Sequence, residues 1–509
     1  MMMGKLSWTL LFPLLLTGCG SLVKSDYQQP MLSVPSEWRQ QESGEGYLQH
    51  SQRWWDSFDD PQLSTLIGRV LTSNNDLAIA GLQLQQARLA AGLTNTNLTP
   101  DVAVSSGASN EKNLRSNTTP TESYRTSLDL SYELDLWGKL ARAREQAQWQ
   151  VEASEQDRQN TALILIGDTA RYYWQIASLN QQITQQQTGL QISKQTLDMV
   201  QSRYAAGAAG QLDVLQAQQS VIERENRLRL LQQQREEARN ALAILFNRSP
   251  TDRQVERSSL DTHQDVPIAK MLPVEVIARR PDVKAAESQL LAALAGSDVA
   301  RLSFYPTLSL SASLGAASNV FQQWFSNPAR TLGANAALPF VEWNTVQLTI
   351  EKSDLDVKQA AIVFRSTVYS ALSDVDNAMT QRLGYQQQRK NQQQNLQLGQ
   401  QRLALATSQY QAGAVSFQTL LDAEDALLTI ENNLADLQYS YLNATMKLWL
   451  ALGGGVAKDN DRERGNHESR FNAAPSGGHR LRGGDAAGNE CSAKLGSDHG
   501  LSARLPLLR

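Results

Sequence analysis

The chain repeats itself at a fixed interval, and that interval limits its fold more than any other feature. Pro100 opens Pro100-Asp101-Val102-Ala103-Val104, and Pro306 opens Pro306-Thr307-Leu308-Ser309-Leu310, 206 residues further on. Trp137 in Leu136-Trp137-Gly138 is matched by Trp343 in Glu342-Trp343-Asn344 at the same offset of 206. Tyr204-Ala205-Ala206-Gly207-Ala208 is matched by Tyr410-Gln411-Ala412-Gly413-Ala414, again 206 on. Asp76 and Asp282, Asp168 and Asp374, and Leu215 and Leu421 obey the same spacing. An offset held over more than a hundred residues makes the chain two copies of one module.

Each copy has the same order of parts. A helix is expected from about Asn75 to Asn97 and its counterpart from about Pro281 to Leu302, followed by two strand-like stretches and a very long helical hairpin. No proline falls between Pro120 and Pro250, or between Pro339 and Pro475. A helix from Lys139 to Tyr204 would be on the order of 100 Å long, beyond the diameter of an ordinary domain. Apolar residues recur at helical spacing, as in Leu163, Ile166, Ala170 and Trp174, or Leu396, Leu403 and Tyr410. Helices this long need packing along such a stripe, because propensity alone does not hold them. Gln185 to Gln187, Gln232 to Gln234 and Gln392 to Gln394 are interleaved with Leu, Glu, Arg and Ala, which fits coiled-coil surface better than a low-complexity tract. The boundaries that follow are 61–270 for the first repeat and 271–455 for the second.

The strands carry the second constraint. Leu128 to Leu136 alternates Leu, Leu, Tyr, Leu, Leu on one face with Asp, Ser, Glu, Asp on the other. Thr307 to Leu314 alternates in the same way, with Ser on its polar face. Period-two alternation means a strand between two different environments, and a half-buried strand of a soluble sheet has the same pattern. Number decides between them. Each copy offers two segments of roughly ten residues, the length of a membrane strand, and single-chain barrels begin at about eight strands. Open sheet edges are not tolerated in lipid, so a chain with four membrane strands closes its sheet with copies of itself. Three chains would give twelve strands. Asn110 to Ser123 and Ala317 to Arg330 are expected as external loops, being polar or rich in Gly, Asn and Ser.

Bulk properties exclude other classes. A net charge of -4 gives no basic footprint for nucleic acid. Cys19 and Cys491 are the only cysteines, too few for a disulfide framework or a CxxC metal site. His50, His263, His467, His479 and His499 lack the spacing of a metal site, and there is no GxxxxGK[ST], GxSxG or HExxH motif. Nothing in the sequence supports an enzyme or a cofactor. Lys5 and the apolar Leu6 to Leu16 form a leader over 1–18, too short for a membrane span. Leu16-Thr17-Gly18-Cys19 resembles a bacterial lipobox, whose cysteine carries a covalent lipid; a plain signal peptide with a chance cysteine is the alternative. Residues 19–60 are then a lipid-anchored segment, and Gly20-Ser21 after the cysteine favours sorting to the outer membrane. From 456 to 509 the composition switches to Gly, Arg, Asp and His, as in a disordered tail.

Together these residues resemble the TolC-type outer-membrane efflux proteins, and the lipobox points to their NodT-like lipoprotein branch. The resemblance runs over roughly Trp54 to Gly454 and is carried by Arg203-Tyr204-Ala205-Ala206-Gly207, Gln409-Tyr410-Gln411-Ala412-Gly413 and Arg279-Arg280-Pro281-Asp282. It implies a mainly α fold with membrane β: a trimeric twelve-stranded outer-membrane barrel, four strands per chain, continued by a long periplasmic α-helical barrel. It implies a passive efflux duct working as a homotrimer with a periplasmic adaptor and an inner-membrane transporter, embedded in outer-membrane lipid. By resemblance Tyr204, Ala206, Gly207, Ala208, Tyr410, Ala412, Gly413 and Ala414 sit at the hairpin tips where the adaptor docks, though Gly207 and Gly413 also suit simple helix ends. Asp213 and Asp422 match the acidic residues that ring the closed periplasmic end, where three copies would form a cation-attracting constriction. Asp213 also suits a helix cap. Val415 stands where some members carry a basic partner. Asp213 lacks an equivalent in the second copy, since 206 residues on stands Thr419. A lipidated coiled-coil adaptor, with one hairpin and lipoyl-like β segments, and a structural lipoprotein without a pore are the competing readings.

Overall fold

The computed structural model describes residues 24–38, 53–112, 115, 119–261, 266 and 273–454. The leader, Cys19 and the 456–509 tail lie outside these residues. Among them are α1 (Pro61–Ser73), α2 (Asn75–Asn95), β1 (Asp101–Glu111), β2 (Thr121–Leu134), α3 (Lys139–Ala205) and α4 (Gln211–Leu245) in the first half. The second half holds α5 (Pro273–Arg279), α6 (Pro281–Leu302), β3 (Thr307–Ser318), β4 (Pro328–Ala337), α7 (Trp343–Gln411) and α8 (Phe417–Ala451). The starts of α2 and α6, of β1 and β3, and of α4 and α8 are each 206 residues apart. The duplication read from the sequence is thus a duplication of elements.

The long helices start and stop for local reasons. The Asp135 carboxylate accepts from the Leu140 and Ala141 N–H groups at 2.9 and 2.8 Å, satisfying the first turn of α3. That turn also ends β2 at Leu134, two residues before the alternation stops, because Asp135 leaves the ladder to cap. At 67 and 69 residues, α3 and α7 each run on the order of 100 Å. No described helix is both long and apolar enough to cross a membrane.

The four strands form one antiparallel sheet in the order β1-β2-β3-β4, leaving β1 and β4 as open edges. Register puts Val104, Leu128, Leu314 and Arg330 on one rung, and Val102, Leu130, Ala312 and Leu332 on another. One face is therefore mostly apolar, while the other carries Ser105, Ser127, Asp129, Ser309, Ser311 and Ser313. The loops are shorter than their polarity predicts. Glu111 still pairs with Thr121, and β3 and β4 run to Ser318 and from Pro328. Ladder pairing satisfies only backbone groups, so polar side chains do not end it.

Helix order follows strand order. Next to the sheet α2 lies on α3, α3 on α6 and α6 on α7, so α2 and α7 are the edges of the layer. Towards the hairpin turns α4 lies on α3, α3 on α8 and α8 on α7. The largest core sits between these two halves, where Trp54, Phe58, Leu63, Ile67, Tyr173, Trp174, Leu242, Tyr441 and Trp449 are all buried. Trp54 stacks on Trp449 with centroids 5.3 Å apart, tying the chain before α1 to the end of α8.

Candidate functional site at the hairpin tips

Both hairpins turn through the same backbone device. Gly207 and Gly413 have φ of +73° and +75°, a conformation that a Cβ disfavours. The Ala208 N–H donates to the Arg203 carbonyl at 2.7 Å and the Ala414 N–H to the Gln409 carbonyl at 2.8 Å, closing each long helix with a Schellman motif. Open space surrounds both glycines, so only the dihedral demands them. The tip residues Tyr204, Ala206, Gly207, Ala208, Ala412, Gly413 and Ala414 are exposed.

Tyr410 differs from its repeat partner. Tyr204 is 48% exposed, whereas Tyr410 is 5% exposed, packed with Val200, Ala217, Phe417, Leu420 and Leu421. Arg203 explains the difference. Its guanidinium lies 4.7 Å from the Tyr410 ring centre, and Nη1 donates to the Tyr410 carbonyl at 3.2 Å. The arginine that only the first copy carries thus crosses to the second hairpin and joins the two tips. Burial pushes the Tyr410 phenol up; Arg203 opposes this and Asp213 reinforces it.

The acidic pair is asymmetric for a structural reason. Asp213 accepts from the Gly210 N–H at 3.1 Å, holding the start of α4, because glycine offers no side chain to cap with. In the second copy Ser416 takes that role, its hydroxyl accepting from the Thr419 N–H at 3.3 Å. Position 419 is thereby free of the capping task. Asp422 lies a turn further on, exposed, and accepts from the Gln418 amide at 2.7 Å. Gln216 Nε2 in turn donates to Gln418 Oε1 at 3.2 Å, a side-chain link between α4 and α8. Val415 packs partly buried in the tip core.

A buried charge cluster above the tips was not singled out from the sequence. Arg224 contacts Asp425 at 2.8 Å and Glu424 at 3.8 Å, with both Arg224 and Glu424 nearly inaccessible. Thr196 donates to Glu424 at 3.0 Å, so α3, α4 and α8 meet there. Burial pushes the Glu424 carboxyl up, against the Thr196 hydrogen bond and the Arg224 charge, with the Asp425 charge adding to the rise. The signal was available: Arg224 follows Ala217 and Ser220 on a buried i, i+3, i+7 stripe where a charge is out of place.

At the other end of the helices, residues 24–38 run beside α6 and α7. The Ser25 hydroxyl donates to the buried Asp298 carboxylate at 2.6 Å, and its N–H donates at 3.2 Å. The Ser33 N–H donates to the Tyr369 hydroxyl at 3.1 Å, and Trp38 packs against the α5–α7–α8 core.

Four amphipathic strands carried on two such hairpins define the protomer of an outer-membrane channel. The chain belongs to the outer membrane efflux protein family, whose sequence profile matches residues 66–248 and 272–454. The two matched stretches begin 206 residues apart and end 206 apart. Among its relatives is the pyoverdine export outer membrane protein OpmQ of Pseudomonas aeruginosa, 32% identical, the match covering 88% of this chain and 96% of that one. The cation efflux system protein CusC of Escherichia coli strain K12 is 29% identical over 87% of this chain and 97% of its own. The open state of the Neisseria gonorrhoeae MtrE outer membrane channel superposes with a TM-score of 0.76 at 26% identity, covering 86% of this chain and 98% of that one. The protein is an outer-membrane efflux channel.

Proposed function

We propose that three copies of this chain close into a twelve-stranded barrel with a continuous helical tunnel, through which compounds leave the periplasm passively. The observation that carries this is the coincidence of edges. β1 and β4 are the open sheet edges, α2 leads into β1, β4 leads into α7, and α2 and α7 are the edges of the helical layer. One rotation therefore closes both layers at once. In this reading the exposed tips receive a periplasmic adaptor, which couples the duct to an inner-membrane transporter, and the chain itself performs no catalysis. Relatives named for pyoverdine and for cations share this architecture at similar identity, so substrate choice belongs to the pump partners.

Cys19 carries the lipid in this reading. Ser25 lies six residues further on, a span of at most about 20 Å, and its partner Asp298 is in the last turn of α6 before β3. Asp422, and with it Asp213, lines the closed periplasmic end as a ring of carboxylates. Planar-bilayer recordings test this. The purified trimer should conduct, and Asp422→Asn should lower cation selectivity; unchanged selectivity and conductance would remove the ring, and a trimer without conductance would remove the duct.

A further inference from the structure

Arg330 is out of place on the apolar face of the sheet. It pairs across β3 with Leu314, on the rung that also carries Leu128 and Val104, and Leu332 follows it on the same face. The face that looks outward in a closed barrel runs through Val102 to Asn110 on β1, Glu122 to Leu134 on β2, Leu308 to Ser318 on β3 and Pro328 to Ala336 on β4, taking alternate residues. Glu122 and Arg330 are the charged residues among them. Glu122 lies six residues along β2 from Leu128, the β2 residue on the Arg330 rung, and accepts from the Tyr124 hydroxyl at 3.0 Å. Arg330 is exposed and has no hydrogen-bond or ion-pair partner among the described residues. The outward face of a neighbouring copy's β1 supplies none either. The β1 strand that would meet the β4 edge offers Val102, Val104, Ser106, Ala108 and Asn110 outward, none of them anionic.

A cation facing lipid is costly unless the lipid itself supplies the counter-charge. Arg330 is the third residue of β4, close to the end of the sheet away from the helices. At that end Tyr124, Phe321, Trp324 and Phe325 form an aromatic cluster, with Tyr124 5.4 Å from Phe321 and 5.3 Å from Trp324. Aromatic clusters of this kind mark the membrane–water boundary. An arginine stem of ordinary reach, starting a few residues below that boundary, delivers its guanidinium to headgroup level.

Resting on the closed-barrel reading above, we propose that Arg330 binds the phosphate of a phosphorylated, multiply acylated lipid of the outer leaflet, whose acyl chains lie on Leu314, Leu332 and the neighbouring Val104. Guanidinium and phosphate match as a forked, charge-assisted pair, and three copies give three such lipids around the barrel. Native mass spectrometry of the purified full-length trimer, mixed in micelles with diphosphoryl lipid A or its dephosphorylated form, tests this. The wild type should retain the phosphorylated lipid about tenfold better, the effect of one charge-assisted hydrogen bond. Arg330→Leu should abolish that preference and Arg330→Lys keep part of it. Equal retention of the two lipids by the wild type, or an undiminished preference in Arg330→Leu, overturns the proposal. Leucine suits the outward face, so Arg330→Leu should still trimerise and conduct in a phosphatidylcholine bilayer. A conducting trimer without lipid preference defeats this inference alone, whereas a wild type that neither trimerises nor conducts defeats the barrel reading as well.

Discussion

A buried carboxylate between two arms of a bundle ties stability to pH, and Glu424 is such a group. Its carboxyl is held above the ordinary glutamate range in the folded chain because burial outweighs the Thr196 hydrogen bond and the Arg224 charge. The sign follows: a carboxyl whose folded pKa is raised stabilises the fold most below its unfolded pKa, and that contribution is lost as pH rises through the folded value. Glu424→Gln should therefore raise the thermal midpoint at neutral pH by a few degrees, with the gap to wild type closing on acidification below the ordinary glutamate range. A gap that widened on acidification would reverse the assignment. Arg224 keeps Asp425 as a counter-charge in that variant. At this scale the sequence was only partly legible. The glycines of the tips were plain, because a positive φ leaves few alternatives. Whether Asp213 caps α4 was left open, and the structure shows the cap; that Tyr410 is buried could not be read, since its neighbour Arg203 lies on the other hairpin, 207 residues away in sequence.

Helices and strands were more legible than the segment that binds them. The expected start of α6 at Pro281 and of α3 at Lys139 agree with the structure, because proline at N1 and an acidic cap act locally. Residues 24–38 carry no periodic pattern, since an extended strap takes its conformation from the surface it lies on. One hold is Asp298, which accepts from both the N–H and the hydroxyl of Ser25 while Arg142 lies 3.9 Å away. Asp298→Ala removes both hydrogen bonds, and a hydrogen bond to a charged group contributes about 1.5–3 kcal/mol. Trypsin cleavage after Lys24 should then speed up by at least about tenfold, as expected when a local opening becomes easier by that amount. An unchanged cleavage rate would mean that Trp38 and Ser33 hold the strap without Ser25. The long helices should keep their circular dichroism in this variant, because α6 and α7 retain their apolar contacts around Val283, Leu290, Phe364 and Val368.

Across the whole molecule, the duplication explains why one protomer is incomplete. Two copies laid side by side produce a layer with two different edges, and nothing among the described residues covers either. Leu348, Leu355 and Ile362 repeat every seven residues along the outer edge of α7, and all three are more than half exposed. On α2, at the opposite edge, Ile79, Leu82 and Leu89 are exposed in the same way. Seven-residue apolar spacing is the seam pattern of helices that pack nearly parallel, so the α7 stripe of one copy is expected on the α2 stripe of the next. Leu355→Glu places a charge in the middle of that seam, about two turns from Leu348 and from Ile362. Burying it unpaired against Leu82 or Leu89 would be strongly unfavourable. Native gels should therefore show loss of the trimer, and bilayer recordings loss of conductance, while far-ultraviolet circular dichroism still reports long helices. Thr349 is also exposed on α7 but lies about 120° around the helix from Leu355, so Thr349→Glu should leave the trimer intact. If Leu355→Glu assembled as well as Thr349→Glu, the edges would have to meet through some other face, and the argument from coincident sheet and helix edges would fail with it.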